Sequence, residues 1–291
     1  MDGILLVDKP EGMTSAEVVR RVKRRLNTKT GHLGTLDPFA SGLLPLCLGE
    51  GTKIAPFLND ADKSYVGSIQ LGCRTDSGDR TGAVVDTAAV PAAADVDLDT
   101  VAAALTGPQQ QVPPMHSAVK RAGQPLYKLA HRGITVEREP RAIVIHELHL
   151  RWEAADSLGF TVSCSKGTYI RVLAEDIARA LGTVGHVRTL RRTGFGHFIV
   201  AAAISLDAVE ANPGAGVLSP SAALEAMEAV RLRPEDVHRA RQGREALLAQ
   251  LQLPTRAAAL KLLSAADELV AVLTRKDDGT WRYARVFGGN D

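Results

Sequence analysis

Asp37 stands directly before a proline in the stretch Gly31 to Pro45, GHLGTLDPFASGLLP. The proline ring pushes the residue before it out of helical geometry, which stiffens the chain at this carboxylate. Gly31, Gly34 and Gly42 permit unusual φ or close backbone approach on both sides, as a substrate-facing loop requires. A carboxylate held in this way suits nucleophilic catalysis or work as one of a pair of acids. Asp-Pro among glycines is also ordinary turn chemistry, and the residue types alone leave both readings open.

Other chemistry-bearing types point nowhere as definite. His146-Glu147-Leu148-His149 falls short of HExxH spacing, and on a strand an offset of three sends the rings to opposite faces. Gly49-Glu50-Gly51-Thr52-Lys53 matches neither a phosphate loop nor a dinucleotide fingerprint. Ser117, near His116 and Lys120, lacks the GxSxG elbow of a hydrolase. Cys47, Cys73 and Cys164 contain no CxxC pair and read as reduced, small apolar residues. No metal and no cofactor is expected.

The elements around Asp37 follow from periodicity. Gly3 to Val7 reads as a buried strand that runs into the turn-rich Asp8-Lys9-Pro10-Glu11-Gly12. Thr14 and Glu17 have capping-box spacing ahead of a stripe of Val18, Val19, Val22 and Leu26, which predicts a helix with its arginines and lysines on the other face. Asn27 to Leu44 shows no sustained period and is expected to be a structured loop. Tyr65, Gly67, Ile69 and Leu71 alternate as a strand with Tyr65 on its apolar face, before the turn Asp76-Ser77-Gly78-Asp79. Ala88 to Ala94 reads as a surface connection, Leu98 to Leu105 as a helix stopped by Gly107, and Leu126 to Arg132 as a second helix. Ala142 to Trp152 and Leu158 to Ser165 are expected to pair as strands, and Ile170 to Leu181 has helical spacing.

Strands and helices mix without regular alternation, which predicts an α+β fold around a mainly antiparallel sheet. Leu269 to Thr274, Asp277-Asp278-Gly279 and Trp281 to Phe287 read as a hairpin. The chain is thus expected to divide into a catalytic domain over 1–229 and a small β-rich domain over 230–291.

With 291 residues, 45% of them hydrophobic, the chain can bury a large core, which excludes a disordered protein. The early apolar run Ile4 to Val7 is too short for a signal peptide or membrane span, so a cytoplasmic protein with no membrane partner is expected. The net charge of +2 is a weak pointer to a polyanion, but Arg20, Arg21, Lys23, Arg24, Arg25 and Lys29 lie in a segment without acids. Such a run gives a field suited to phosphates or simply a solvated helix face.

Five ordered motifs separate these alternatives. GHLGTLDPFASGLLP resembles the catalytic-aspartate motif of the pseudouridine synthase B family, the bacterial tRNA pseudouridine-55 synthases. Lys9 to Ser15 (KPEGMTS) is similar to the family's KPxGxTS, and Lys63 to Gly82 (KSYVGSIQLGCRTDSGDRTG) to its tyrosine-bearing strand and loop. Gln111 to Gly123 (QVPPMHSAVKRAG) and Lys166 to Gly182 (KGTYIRVLAEDIARALG), continuing into Leu190 to Gly194, complete the set. The likeness spans about residues 3 to 198; the C-terminal part resembles the family's RNA-binding PUA domain only loosely.

The resemblance implies isomerisation of a T-loop uridine in tRNA; the short chain favours a stand-alone enzyme, so no guide RNA and a monomer are expected. The resemblance makes Asp37 the catalytic carboxylate, Arg171 its cationic partner, and Tyr65 the residue that stacks on the base and is suspected of accepting its proton. Tyr169 supports the pocket, His32 holds the disrupted RNA loop, Leu190 lies near the flipped base, and Lys9 counts among the substrate-binding residues. Arg20, Lys23, Arg24, Arg191 and Arg192 are then expected to grip phosphates. Three other readings remain at this point: an RNA-binding or RNA-folding protein without catalysis, a glycoside hydrolase pairing Asp37 with Asp76 or Asp79, and a pseudouridine synthase acting in a guide-RNA particle, whose enzymes share the aspartate motif.

Overall fold

The computed structural model describes residues 1–117, 119–121, 123–130 and 132–288. Ala118 and Ala122 of the 111–123 motif, and His131 of the expected second helix, lie outside the described residues. Strand β1 (Gly3–Lys9) leads into helix α1 (Ser15–Leu26), whose start has the expected capping box: the Thr14 hydroxyl accepts from the Glu17 amide and the Glu17 carboxylate accepts from the Thr14 amide. Short β2 (Thr30–His32) and longer β3 (Ser41–Leu48) follow, then β4 (Lys63–Leu71), α2 (Leu98–Ala104) and β5 (Gly107–Gln111). Next come β6 (Arg141–Ala154), β7 (Ser157–Cys164), α3 (Ile170–Ala180) and β8 (Gly185–Phe195).

These strands form one sheet in the order β1-β3-β8-β4-β7-β6-β5, extended beyond β1 by Ile204–Ser205. All neighbouring pairs from β1 to β5 are antiparallel except β3 with β8. The fold is therefore α+β with a mainly antiparallel sheet.

β1 and β3 are buried on both faces, which is why they read as continuous apolar runs rather than alternations. Leu5, Val7, Leu44, Leu46 and Leu48 point into a core shared with Val18 and Val22 of α1 and Leu173 and Ile177 of α3. Ile4, Leu6, Leu43 and Cys47 point the other way, into a core with Phe195, Phe198, Leu263, Leu269, Val272 and Phe287.

The expectation of a loop from Asn27 to Leu44 needs correction. β2 pairs with β3, Thr30 opposite Leu48 and His32 opposite Leu46, and only residues 33–40 remain irregular between them. Three-residue β2 is too short to show a period, and β3 contains Pro45, a residue that ordinarily argues against an interior strand.

A second, four-stranded sheet comprises β9 (Ala229–Arg231), β10 (Ala259–Leu263), β11 (Leu269–Arg275) and β12 (Trp281–Val286), with β11 and β12 forming the expected hairpin. It has its own core of Leu232, Ala240, Leu247, Leu260, Leu262, Val270 and Leu273. Its other face is not free. Leu263, Leu269, Val272 and Phe287 pack into the core beneath β1 and β3. Lys261 Nζ donates to the carbonyls of Ser221 (3.0 Å) and Leu224 (2.7 Å), and Lys53 Nζ to that of Val286 (3.0 Å).

Candidate active site

The loop carrying Asp37 is fastened by the segment that precedes it in sequence. Ser15, the first residue of α1, donates its hydroxyl to the Leu36 carbonyl (3.0 Å) and accepts from the Leu36 amide (2.9 Å). The Gly12 amide donates to the Pro38 carbonyl at 2.8 Å, at a glycine whose φ is +84°. Lys9 Nζ reaches the carbonyls of Met13 (2.7 Å), Pro10 (3.0 Å) and Pro38 (3.3 Å). Lys9, Gly12 and Ser15 of KPEGMTS are thus the braces of the aspartate loop, and Thr14 between them starts the helix that supports it.

Arg171 lies in the first turn of α3, its side chain 6% exposed against 34% for Asp37. Its Nε donates to Asp37 Oδ2 at 2.8 Å and its Nη2 to Oδ1 at 3.2 Å, a two-point contact that fixes the carboxylate plane. Nη1 donates to the Ser77 carbonyl (2.9 Å) and Nη2 also to that of His116 (2.7 Å). One guanidinium therefore ties the Asp37 loop to the turn after β4 and to the segment after β5. Asp79 is a second acid near it, Oδ2 3.9 Å from Nε, buried and accepting from the Ser77 hydroxyl and from the Thr81 amide and hydroxyl. With those bonds on one side and Arg171 on the other, Asp79 is not placed as a free acid facing Asp37, and Asp76 accepts from the Ala83 amide. The two-acid hydrolase reading has no geometric support.

Tyr169 caps α3, exchanging two hydrogen bonds through its backbone with the Gln111 side chain: its amide donates to Oε1 (2.7 Å) and its carbonyl accepts from Nε2 (3.2 Å). The family resemblance singled out Tyr169 but not Gln111, Ser15 or Gly12, although all three stand in the quoted motifs. Tyr65 and Arg192 are directly opposite across β4 and β8, and Leu190 lies opposite Gly67 on the same face. Tyr65 is buried, and desolvation raises its pKa above the ordinary phenol value, with the Arg192 cation pulling the other way. The phenol is protonated at neutral pH.

Two cations expected near the RNA sit elsewhere. Arg192 is 1% exposed and donates Nε to the Leu43 carbonyl (2.8 Å) and Nη2 to the Gly34 carbonyl (3.0 Å). Lys9 is wholly buried, which draws its pKa down to about 8 although Asp37 pulls it up. Neither can meet a phosphate from these positions, because both are buried and donate to backbone carbonyls of the aspartate loop and its flanks. Arg191 forms a two-point pair with Asp8 at 2.9 and 2.7 Å. On α1, Arg20 is exposed 3.7 Å from Glu17, while Lys23 and Arg24 are exposed. Arg21 and Arg25 turn to Glu210 instead.

His32 is half-buried on β2, with its Nδ1 lacking a hydrogen-bond partner; burial first and the Arg192 cation second hold its pKa below the ordinary value. The ring is neutral at pH 7. His146 faces Asp62 at 3.2 Å and His149 faces Glu147 at 2.7 Å. Among the described residues no His, Cys, Asp or Glu cluster is arranged to hold a metal ion.

A groove of about 680 Å³ crosses β8, β4, β7 and β6, lined by Val66, Arg151, Thr161, Thr189, Leu190 and Arg191 among others. Asp37, Tyr65 and Arg171 do not line it, so the groove does not mark the aspartate site.

Two family models match. Residues 21–170 fit the N-terminal domain of the TruB family pseudouridylate synthases, and residues 171–215 the C-terminal domain of tRNA pseudouridylate synthase B. The latter stretch contains β8, so it belongs to the large sheet rather than to the four-stranded one. The chain is 50% identical over 219 residues to tRNA pseudouridine synthase B of Psychrobacter cryohalolentis, covering 73% of this chain and 61% of that protein. To the protein of the same name from Aromatoleum aromaticum it is 51% identical over 228 residues, 77% and 74% of the respective lengths. Its structure is similar to a chain in the crystal structure of a Cbf5-Nop10-Gar1 complex, with TM-score 0.67, 25% identity, and 98% of this chain and 84% of that one covered. With its aspartate loop, buried arginine and central sheet placed as above, the chain belongs to the TruB family of pseudouridylate synthases.

Proposed function

We propose that the chain converts uridine to pseudouridine in the T-loop of tRNA, at the position the family resemblance names, and that Asp37 carries the reaction. The observation behind this is the Asp37 carboxylate itself: partly open to solvent, rigidly braced from below, and gripped at both oxygens by a buried arginine. The reaction breaks the N1–C1′ bond and forms C5–C1′; the C5 proton leaves, N1 gains one, and the RNA mass is unchanged. An ionised carboxylate serves such a step as nucleophile or charge stabiliser. Arg171, holding both carboxylate oxygens, fixes its direction.

Tyr65, on the same sheet face as Leu190, stacks on the extruded base, and Tyr169 walls the pocket. Its raised pKa means that Tyr65 takes up the C5 proton only with help from the adjacent Arg192 cation. Extruding a stacked uridine costs a few kcal/mol; the neutral His32 ring helps hold the disrupted RNA loop and Leu190 lies near the flipped base. Arg20, Lys23, Arg24 and Arg191 lie at or near the surface to meet phosphates. Residues 230–291 act as a PUA-like RNA-binding domain beside a catalytic domain of 1–229. The protein works as a cytoplasmic monomer without guide RNA, metal or cofactor; among the described residues no helix is long and apolar enough to cross a membrane.

The test is purified protein with an unmodified tRNA transcript, followed by chemical mapping of pseudouridine, with and without EDTA. Pseudouridine at the T-loop uridine in both reactions is the expected result. An unmodified transcript overturns the reading, and activity lost to EDTA overturns its metal-free part. Bound but unisomerised tRNA would leave an RNA-folding protein as the reading.

A further inference from the structure

Arg192 is a buried cation with no carboxylate within ion-pair distance among the described residues. Taking a guanidinium out of water without an opposite charge is costly, so its position calls for an explanation. Two of its neighbours are also buried cations, Lys9 and Lys63; the Lys63 ammonium donates to the carbonyls of Asn59 (3.4 Å) and Ala61 and lies 4.7 Å from the Phe195 ring centroid. The Arg192 guanidinium is 5.4 Å from the same ring.

Its hydrogen bonds give the explanation. The Gly34 carbonyl precedes Asp37 by three residues, and the Leu43 carbonyl follows it just inside β3; Arg192 donates to both. Gly34 has φ +64°, and a Cβ there would meet Phe195 at 3.1 Å and the guanidinium at 3.3 Å, so the loop closes tightly over this side chain. Through the β4–β8 register Arg192 also stands opposite Tyr65, whose hydroxyl its charge pulls toward the ionised form.

We propose that Arg192 is the positioning residue of the active site: it fastens both shoulders of the loop that carries Asp37 and aligns Tyr65 with that loop. The planar fork is what the role needs, since its Nε and Nη2 point at two carbonyls of fixed separation while the face lies against Phe195. A lysine has the charge but not the fork. Arg192 does not touch the RNA; it acts through Asp37 and Tyr65, and its effect on rate rests on the function proposed above.

The experiment compares the parent protein with Arg192→Lys in three measurements: single-turnover pseudouridine formation, tRNA Kd, and amide hydrogen exchange without RNA. The expected result is a ~10- to ~100-fold slower chemical step, as for a small misplacement of reacting groups, an unchanged Kd, and faster exchange confined to residues 33–43. An unchanged rate, or a rate loss without faster exchange in that loop, overturns the proposal. A weaker Kd with a normal saturating rate also overturns it and returns Arg192 to phosphate binding.

Should Arg192→Lys not fold, Phe195→Leu carries the test. It keeps an apolar side chain but removes the ring against the guanidinium, and it should give the same pattern in milder form; normal exchange and rate there overturn the proposal. If the parent makes no pseudouridine, the functional reading fails by itself, and loop exchange still decides whether Arg192 is the clamp.

Discussion

Ser15 and Leu36 exchange two hydrogen bonds, hydroxyl to carbonyl at 3.0 Å and amide to hydroxyl at 2.9 Å, across 21 residues of sequence. Because Leu36 immediately precedes Asp37, the first turn of α1 sets the height of the carboxylate. Ser15→Ala leaves a buried amide and a buried carbonyl without their partner, at about 1–3 kcal/mol for an unsatisfied group. The expected outcome is a lower melting temperature and a slower single-turnover rate with unchanged tRNA Kd. A variant with parental melting and rate would show that the loop holds its shape without this pair.

Asp37→Asn keeps the size of the side chain but removes the charge and the nucleophile. Single-turnover pseudouridine yield should fall by ~10³-fold or more. Binding should persist, since removing a carboxylate does not weaken attraction to a polyanion. Arg171 then faces a neutral amide, but its bonds to the Ser77 and His116 carbonyls remain, so only a modest drop in melting temperature is expected. Product formed at the parental rate by the folded variant would remove Asp37 from the mechanism.

His32 gives a pH dependence whose sign follows from its lowered pKa. Below its ordinary value of 6.5 the unfolded chain takes up a proton that the folded ring refuses. The unfolded state therefore binds more protons, and folding stability is lost as pH falls below about 6.5. Urea unfolding at pH 7.5 and 5.5 should show a smaller loss in His32→Gln than in the parent. Equal losses would mean that the ring is protonated in the folded protein.

Arg20, Lys23 and Arg24 present their charges on the outer side of α1. Replacing all three by glutamine should weaken tRNA binding and reduce the slope of log K against log salt by about 0.7–0.9 for each phosphate that is no longer neutralised. The saturating single-turnover rate should stay at the parental value. An unchanged salt slope would make this a solvated helix face that the RNA does not touch.

What the sequence alone determined is local. The capping box and apolar stripe define α1, alternation defines β4, the 141–164 strand pair and the C-terminal hairpin are legible from composition and turns, and five motifs in order identify the chemistry. The elements depend on residues a few positions apart, where propensity and periodicity act, whereas the chemistry came from the family likeness of motifs spread over residues 9–194. Tertiary structure decided the rest.

Arg192 and Lys9 are indistinguishable by residue type from cations that meet phosphate, yet one reaches carbonyls 149 and 158 residues away in sequence and the other a carbonyl 29 residues away. Whether a buried cation is tolerable depends on acceptors that only folding assembles. The same holds for the C-terminal sheet. Its own core is visible as apolar strands, but nothing local indicates that Leu263, Leu269, Val272 and Phe287 belong to the core beneath β1. A strand buried on both faces announces that it is covered, and only the packed chain shows by what.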